Sequence, residues 1–195
     1  STITAAPIDE QKISSPERRR AVAQINRASD DEELIKGFHK KFPKGECRYY
    51  TIIDKKNARL RVYKMNGEIV WEKEILTGKQ KSDKRIRWTD KENMQTNNTT
   101  PAGIFTLGKK KTTGAYYENN YEGNLIDLIP EDGAIPDGAT NPFAIHQIPP
   151  YLKTRYRFLD NGNIADNKAS GGCVNMSKSD MVTFMDTYHN RGCPF

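Results

Sequence analysis

At Arg48 the hydrophobic period of this chain changes, and that change limits the fold more than any other feature. Upstream, "SSPERRRAVAQINRASDDEELIKGFHKKF" sets Val22, Ile25, Leu34, Ile35 and Phe38 on a helical stripe. Ser15 suits its cap, Pro16 its first position and Glu17 the positive end of its dipole. "RASDDEE" breaks it into two helices, the second capped by Ser29. Downstream, "RYYTIID", "ARLRVYKM" and "EIVWEKEIL" are short runs rich in β-branched and aromatic residues, separated by "KKN" and "NG". Asn-Gly between alternating runs is a strong hairpin signal, so a three-stranded meander is expected.

Beyond the meander, "TGKQKSDKRIRWTDKENMQTNNTT" lacks apolar periodicity and reads as a long loop, with Asn-x-Thr sequons at Asn97 and Asn98. "TPAGIFTLG" (100–108) reads as a Pro/Gly turn leading into another strand, and "NLIDLI" (124–129) and "PFAIHQI" (142–148) as further strands with a Gly/Pro/Asp-rich loop between them. "SKSDMVTFMDTY" reads as one late short helix, with Ser177 and Asp180 as its capping pair and Val182, Met185 and Tyr188 on one face. The predicted organisation is a polar, flexible lead-in over 1–14, a helical segment over 15–42 and a mainly β, α+β domain over 43–195. A core of that size needs neither disulfide nor metal to hold it.

The formal net charge is +6 and the sequence pI about 9.1. A positive surface attracts anionic partners, but the excess lies in short runs such as "ERRR" and "KKK", which suit solvated faces. With no zinc-finger spacing, helix-turn-helix pattern or aromatic-interleaved basic stripe, no nucleic-acid partner is expected. No stretch reaches the roughly 20 apolar residues of a transmembrane helix, so no stable membrane insertion is expected. The opening "STITAAPIDE" suits a chain whose signal peptide has been removed and suits an arbitrary boundary equally; no signal peptide is visible.

There are three cysteines, Cys47, Cys173 and Cys193. An odd number leaves at least one without an internal partner. Cys47 and Cys193 look peripheral, and a bond between them would tie the C-terminus to the start of the sheet. Such a bond implies an oxidising compartment; three reduced thiols in a cytosol is the other reading, and the cysteines alone leave both open.

Cys173 stands in "KASGGCVNMSKSD", behind Ser170-Gly171-Gly172 and ahead of the late helix. Two glycines let backbone N–H groups turn toward one point, which an oxyanion hole requires. A thiol nucleophile also needs a base. His39 sits among lysines in the helical segment and His189 at the end of the last helix. His146 ends the apolar strand "PFAIHQI" just before Pro149-Pro150, a rigid mounting for a catalytic group. By itself His146 would read as a satisfied half-buried histidine; beside a cysteine on a Gly-Gly turn it reads as a base. One cysteine and one distant histidine make a poor zinc set, so no metal is expected.

"AIHQIP…SGGCVNM" resembles the paired signature of the L,D-transpeptidase (YkuD-type) catalytic domain: a strand-borne histidine, then a Ser-His-Gly-Cys-apolar-Arg/Asn motif. "TPAGIFTL" is similar to that family's Thr-Pro-x-Gly-x-Phe strand, and "IIDKKNARLRVYKMNGEIVWEKEILTGK" to its opening meander. The pieces run in order from about residue 48 to about residue 186. Gly171 replaces the motif histidine, Gln147 stands where a small residue is common, and the stretch from 149 to 168 is longer than usual, as a lid or specificity loop would be.

The resemblance implies an L,D-transpeptidase-like β-sandwich of mixed sheets and a cell-wall enzyme with no cofactor. Its partners would be peptidoglycan stem peptides, its location periplasmic or extracellular, and its cysteine a target for carbapenems. It implies Cys173 as nucleophile, His146 as base, and the N–H groups of Gly172 and Cys173 as oxyanion donors. Ser170, Gly171, Gln147 and Asn175 would shape the site or contact substrate. It also tips the cysteines toward the Cys47–Cys193 bond. An L,D-carboxypeptidase and a secreted wall-targeting toxin share the chemistry, and a non-catalytic peptidoglycan-binding module is the alternative of another class. The motif does not separate these, and the sequence does not set the oligomeric state. Should His146 not be the base, Lys153, Arg155 and Arg157 of the 149–168 stretch could lower the thiol pKa.

Overall fold

A computed structural model describes residues 31–37, 47–79, 100–111, 114–130 and 143–189. The chain divides into two units, Ser1–Gly45 and Glu46–Phe195. In the first, residues 31–37 are helical, with Lys36 paired to Glu32 at 3.3 Å and to Glu33 at 3.8 Å along the exposed face. The lead-in, the first predicted helix, the sequons and His39 lie outside the described residues.

The second unit opens with the expected meander: β1 (Tyr49–Asp54), β2 (Arg59–Lys64) and β3 (Ile69–Glu74), antiparallel in the order β1-β2-β3. Gly67, at φ 87°, turns the β2–β3 hairpin as Asn-Gly predicts. The "TG" that follows, expected to open the long loop, is a short strand instead: as β4 (Thr77–Gly78) it pairs in parallel with β8 (Lys168–Ser170). Just before it, Leu76 exchanges both backbone hydrogen bonds with Asn175, each at 2.9 Å.

A four-stranded sheet runs β5-β6-β7-β9, from β5 (Phe105–Lys110), β6 (Leu125–Pro130), β7 (Ala144–Gln147) and β9 (Val174–Met176). The first two pairings are antiparallel and β7–β9 is parallel, with His146 opposite Asn175. A parallel neighbour needs a crossover, supplied here by the 3-10 helices Pro150–Phe158 and Ile164–Asn167. The crossover is tied to β3: Asn167 donates to Glu74 at 2.8 Å and to the Ile75 carbonyl at 3.0 Å.

Two helices complete the unit. The α1 helix (Ala115–Tyr121), absent from the sequence reading, ends with Glu122 in the left-handed region at φ 51°. Helix α2 (Lys178–Thr183) continues as a π turn, Phe184–Tyr188, and its Ser177 cap accepts the Asp180 N–H at 3.2 Å. Its buried face is Met181, Phe184 and Met185, with Tyr188 half-buried; Val182, expected inside, is exposed. The inward set follows i, i+3, i+4, i+7, the spacing of one helical face.

Both larger sheets and α2 meet in one apolar cluster. Leu60 and Val62 enter it from β2, Phe105 and Leu107 from β5, Ile126 and Leu128 from β6, and Val174 and Met176 from β9. Trp71 stacks on Phe184 and leans on Tyr188, whose ring meets Tyr49 edge-on. The result is a β-rich α+β fold with few helices.

Candidate active site

Side chains alternate along a strand, so a sheet with one apolar face has a second face for other uses. In β6, β7 and β9 the residues between core positions are Asp127, Ala144, His146 and Asn175. In register, Asp127 lies opposite Ala144 and His146 opposite Asn175. Cys173 precedes β9 by one residue and sits at the same edge: the backbone of Ala144 hydrogen-bonds its sulfur. The thiol is reduced and half-buried.

The turn that presents Cys173 is held from several directions. Ser170 Oγ donates to the Cys173 carbonyl at 2.5 Å and accepts the Gly172 N–H at 3.1 Å. Gly172 lies at φ 132°, where a side chain would be strained. Its carbonyl accepts from buried Thr100 Oγ1 at 2.7 Å, and the same hydroxyl accepts the Gly78 N–H at 2.8 Å. The Gly172 N–H, expected to point at an oxyanion, is thus engaged by Ser170 in this geometry. Gly171 is exposed.

The imidazole of His146 is buried, and its hydrogen bonds fix its tautomer. Arg155 Nη1 donates to Asn175 Oδ1 at 2.8 Å. A guanidinium has only donors, so the Asn175 amide must present its oxygen there and its Nδ2 to His146 Nε2, 3.3 Å away. Nε2 therefore carries the lone pair, and Nδ1–H donates to the Gln147 carbonyl at 2.6 Å. The Tyr121 ring lies 4.5 Å from the imidazole, centre to centre. Burial, with the Arg155 charge adding to it, brings the His146 pKa down to about 4, and the Gln147 carbonyl opposes the shift. Burial pushes the Cys173 thiol up, while the Ala144 hydrogen bond and Arg155 pull it back. At neutral pH both groups are neutral: a thiol and an unprotonated imidazole on the same face of the β7–β9 pair.

Gln147 is buried and braces the histidine strand against α1. Its Nε2 donates to Glu122 at 2.7 Å, and its Oε1 accepts from Asn124 at 2.6 Å. Glu122 is also paired with Lys178 at 2.9 Å, and the two bonds hold its carboxyl below the usual range. The other histidine of the described residues, His189, meets the Gly108 carbonyl at 2.8 Å.

Sequence reasoning missed three contributors: Thr100, Tyr121 and Asp127. Thr100 opens "TPAG", so the motif was visible while the hydroxyl's double role was not. Tyr121 ends the tyrosine-rich run "AYYENNY", a signal of its own. Cys47 is disulfide-bonded, and Cys193, the partner expected for it, lies outside the described residues. Among the described residues no group of three or more His, Cys, Asp or Glu could hold a metal ion, and no helix is long and apolar enough to cross a membrane.

This frame defines a β-rich α+β domain that gathers a cysteine, a histidine and an arginine at one sheet face. The YkuD family, the L,D-transpeptidase catalytic domain, matches residues 48–190, and the chain belongs to that family. Among solved structures, it is similar to Bd1075 of Bdellovibrio bacteriovorus at 19% identity and a TM-score of 0.45, over 76% of this chain and 46% of that one. It is also similar to a Clostridium acetobutylicum protein described as a fused Zn-dependent amidase/peptidase/peptidoglycan-binding domain-containing protein. There the identity is 12% and the TM-score 0.43, over 84% of this chain and 57% of that one. The chain thus spans about half the length of these two structures. No curated protein matches.

Proposed function

We propose that the protein is a cell-envelope L,D-transpeptidase that forms or exchanges peptidoglycan cross-links through a cysteine thioester. The observation that carries the reading is the placement of Cys173 and His146 at one face of the β7–β9 pair, both neutral at working pH. The thiol loses its proton to His146 as its sulfur attacks the carbonyl of the third residue of a tetrapeptide stem. The imidazolium then gives that proton to the departing amine of the terminal D-alanine, leaving a thioester. An amine from a second stem resolves it to a cross-link. Water would resolve it to a tripeptide, the carboxypeptidase outcome, which exposed Gly171 beside the thiol favours by leaving that side open.

Neutral partners fit proton transfer coupled to attack better than a standing thiolate–imidazolium pair. The Cys173 N–H is the oxyanion donor of this reading; the Gly172 N–H would have to leave Ser170 Oγ to join it. The Arg155–Asn175 pair fixes the tautomer with the lone pair on Nε2; Asn175 Nδ2 donates to that lone pair at 3.3 Å and has to release it before His146 can take the thiol proton.

Incubation with a purified tetrapeptide muropeptide, with products resolved by mass, tests the proposal. Cross-linked dimers support transpeptidation, tripeptide supports the hydrolytic branch, and unchanged substrate that stays bound marks a binding module and overturns an enzymatic role.

A further inference from the structure

The crossover between β7 and β9 carries three basic residues, Lys153, Arg155 and Arg157, which the sequence treats alike. The structure separates them. Lys153 and Arg157 are exposed, and the Arg157 guanidinium lies over the Phe158 ring at 5.0 Å. Arg155 is half-buried and turned inward, with Nη1 on Asn175, two residues past Cys173 and opposite His146. The charges that act on it are those of Tyr151, Cys173 and Tyr121.

A guanidinium offers five N–H donors in a planar fork, and Asn175 takes one of them. Among the described residues Arg155 has no ion pair. Asp127, Glu122 and Glu74 have partners of their own: Asp127 pairs with Lys111 at 3.4 Å, Glu122 with Lys178 and Gln147, and Glu74 with Asn167. Removing a permanent cation from water without an anion is costly, and burial is the main influence on this one. A site that keeps such a cation beside its nucleophile is built for an anion that arrives with the substrate.

We propose that Arg155 forms a carboxylate subsite for the free α-carboxylate of the residue that leaves when Cys173 attacks. The proposal rests on the function given above. In a stem peptide that carboxylate is three bonds from the carbonyl carbon under attack, so a cation at the rim of the thiol can hold it while the sulfur reaches the carbon. The planar fork matches a carboxylate with two parallel hydrogen bonds. The crossover then selects chain ends: a stem whose last residue is already amide-linked lacks the anion that Arg155 requires.

The test compares kcat/KM for one stem tetrapeptide as the free acid and as its C-terminal carboxamide, in the wild type, Arg155→Gln and Arg155→Lys. The ratio of the two rates is independent of how much enzyme folds. We expect the wild type to favour the acid by about 10- to 100-fold, the scale of a hydrogen-bonded charge. The ratio should fall to about one in Arg155→Gln and stand between in Arg155→Lys. A wild type that turns over both peptides equally overturns the subsite and leaves the proposed function standing. An equal loss on both peptides in Arg155→Gln overturns it too, since that pattern marks positioning through Asn175. Turnover of neither peptide by the wild type overturns the proposed function and the subsite together.

Discussion

The two faces of the β5-β6-β7-β9 sheet place opposite demands on neighbouring residues. On one, Ile126, Ile145, Val174 and Met176 are closed off from water and need only fit one another. On the other, one residue along, Asp127, His146 and Asn175 each hold a named polar partner. The first face tolerates exchange among apolar residues of similar volume; the second depends on single atoms. Because each strand contributes to both, the core fixes the site: the β7–β9 register that joins Ile145 to Val174 also sets His146 opposite Asn175.

Substitutions on each face should separate these demands. The largest effect is expected from Cys173→Ala: a carbapenem should add once per chain to the wild type and not at all to the variant, read by intact mass. Labelling that persisted in the variant would remove Cys173 from the role of nucleophile. Next, His146→Gln should slow acylation by about 10²- to 10⁴-fold, the scale of a positioned base, with the fold retained by circular dichroism. Acylation at near wild-type rate would show that the polar face does not supply the base.

On the apolar face, Ile145→Ala should cost about 2–5 kcal/mol of stability in denaturant titration, while the acylation rate per folded molecule changes far less. A fall in that rate as large as that of His146→Gln would mean the faces are not separable.

The smallest effect concerns pH. His146 has its folded pKa lowered from 6.5 to about 4, so the unfolded chain binds a proton there before the folded one does. The stability this represents is complete above about pH 6.5 and is lost as pH falls toward 4, up to roughly 3 kcal/mol. His146→Gln should flatten that acid limb, and an unchanged limb would show that burial of the imidazole is not its source.

The same contrast explains what could be read in the sequence. The apolar face and the meander were legible because alternation and Asn-Gly are local signals: "NLIDLI" lies one residue from the bounds of β6, and "PFAIHQI" contains the shorter β7. Cys173 and His146 stood out by residue type. Their common sheet edge was not legible, because the parallel pairing of β7 with β9 spans the whole crossover and no local pattern sets its register. Helix α1 was missed because its residues, mostly Tyr and Asn, have weak helix propensity and carry no clear apolar stripe. Val182 was placed inside on a spacing of three, where the helix buries 181, 184, 185 and 188. For Arg155 the sequence showed a charge, and only packing distinguishes it from Arg157.

Thr100 has a consequence for engineering. Its hydroxyl binds the Gly78 N–H and the Gly172 carbonyl at once, so one side chain joins the end of β4 to the turn that carries Cys173. Replacing that hydroxyl with a methyl of the same shape, as in Thr100→Val, would leave both backbone groups without this partner. The cysteine turn could then be loosened by degrees from a distance, with the cysteine itself left in place.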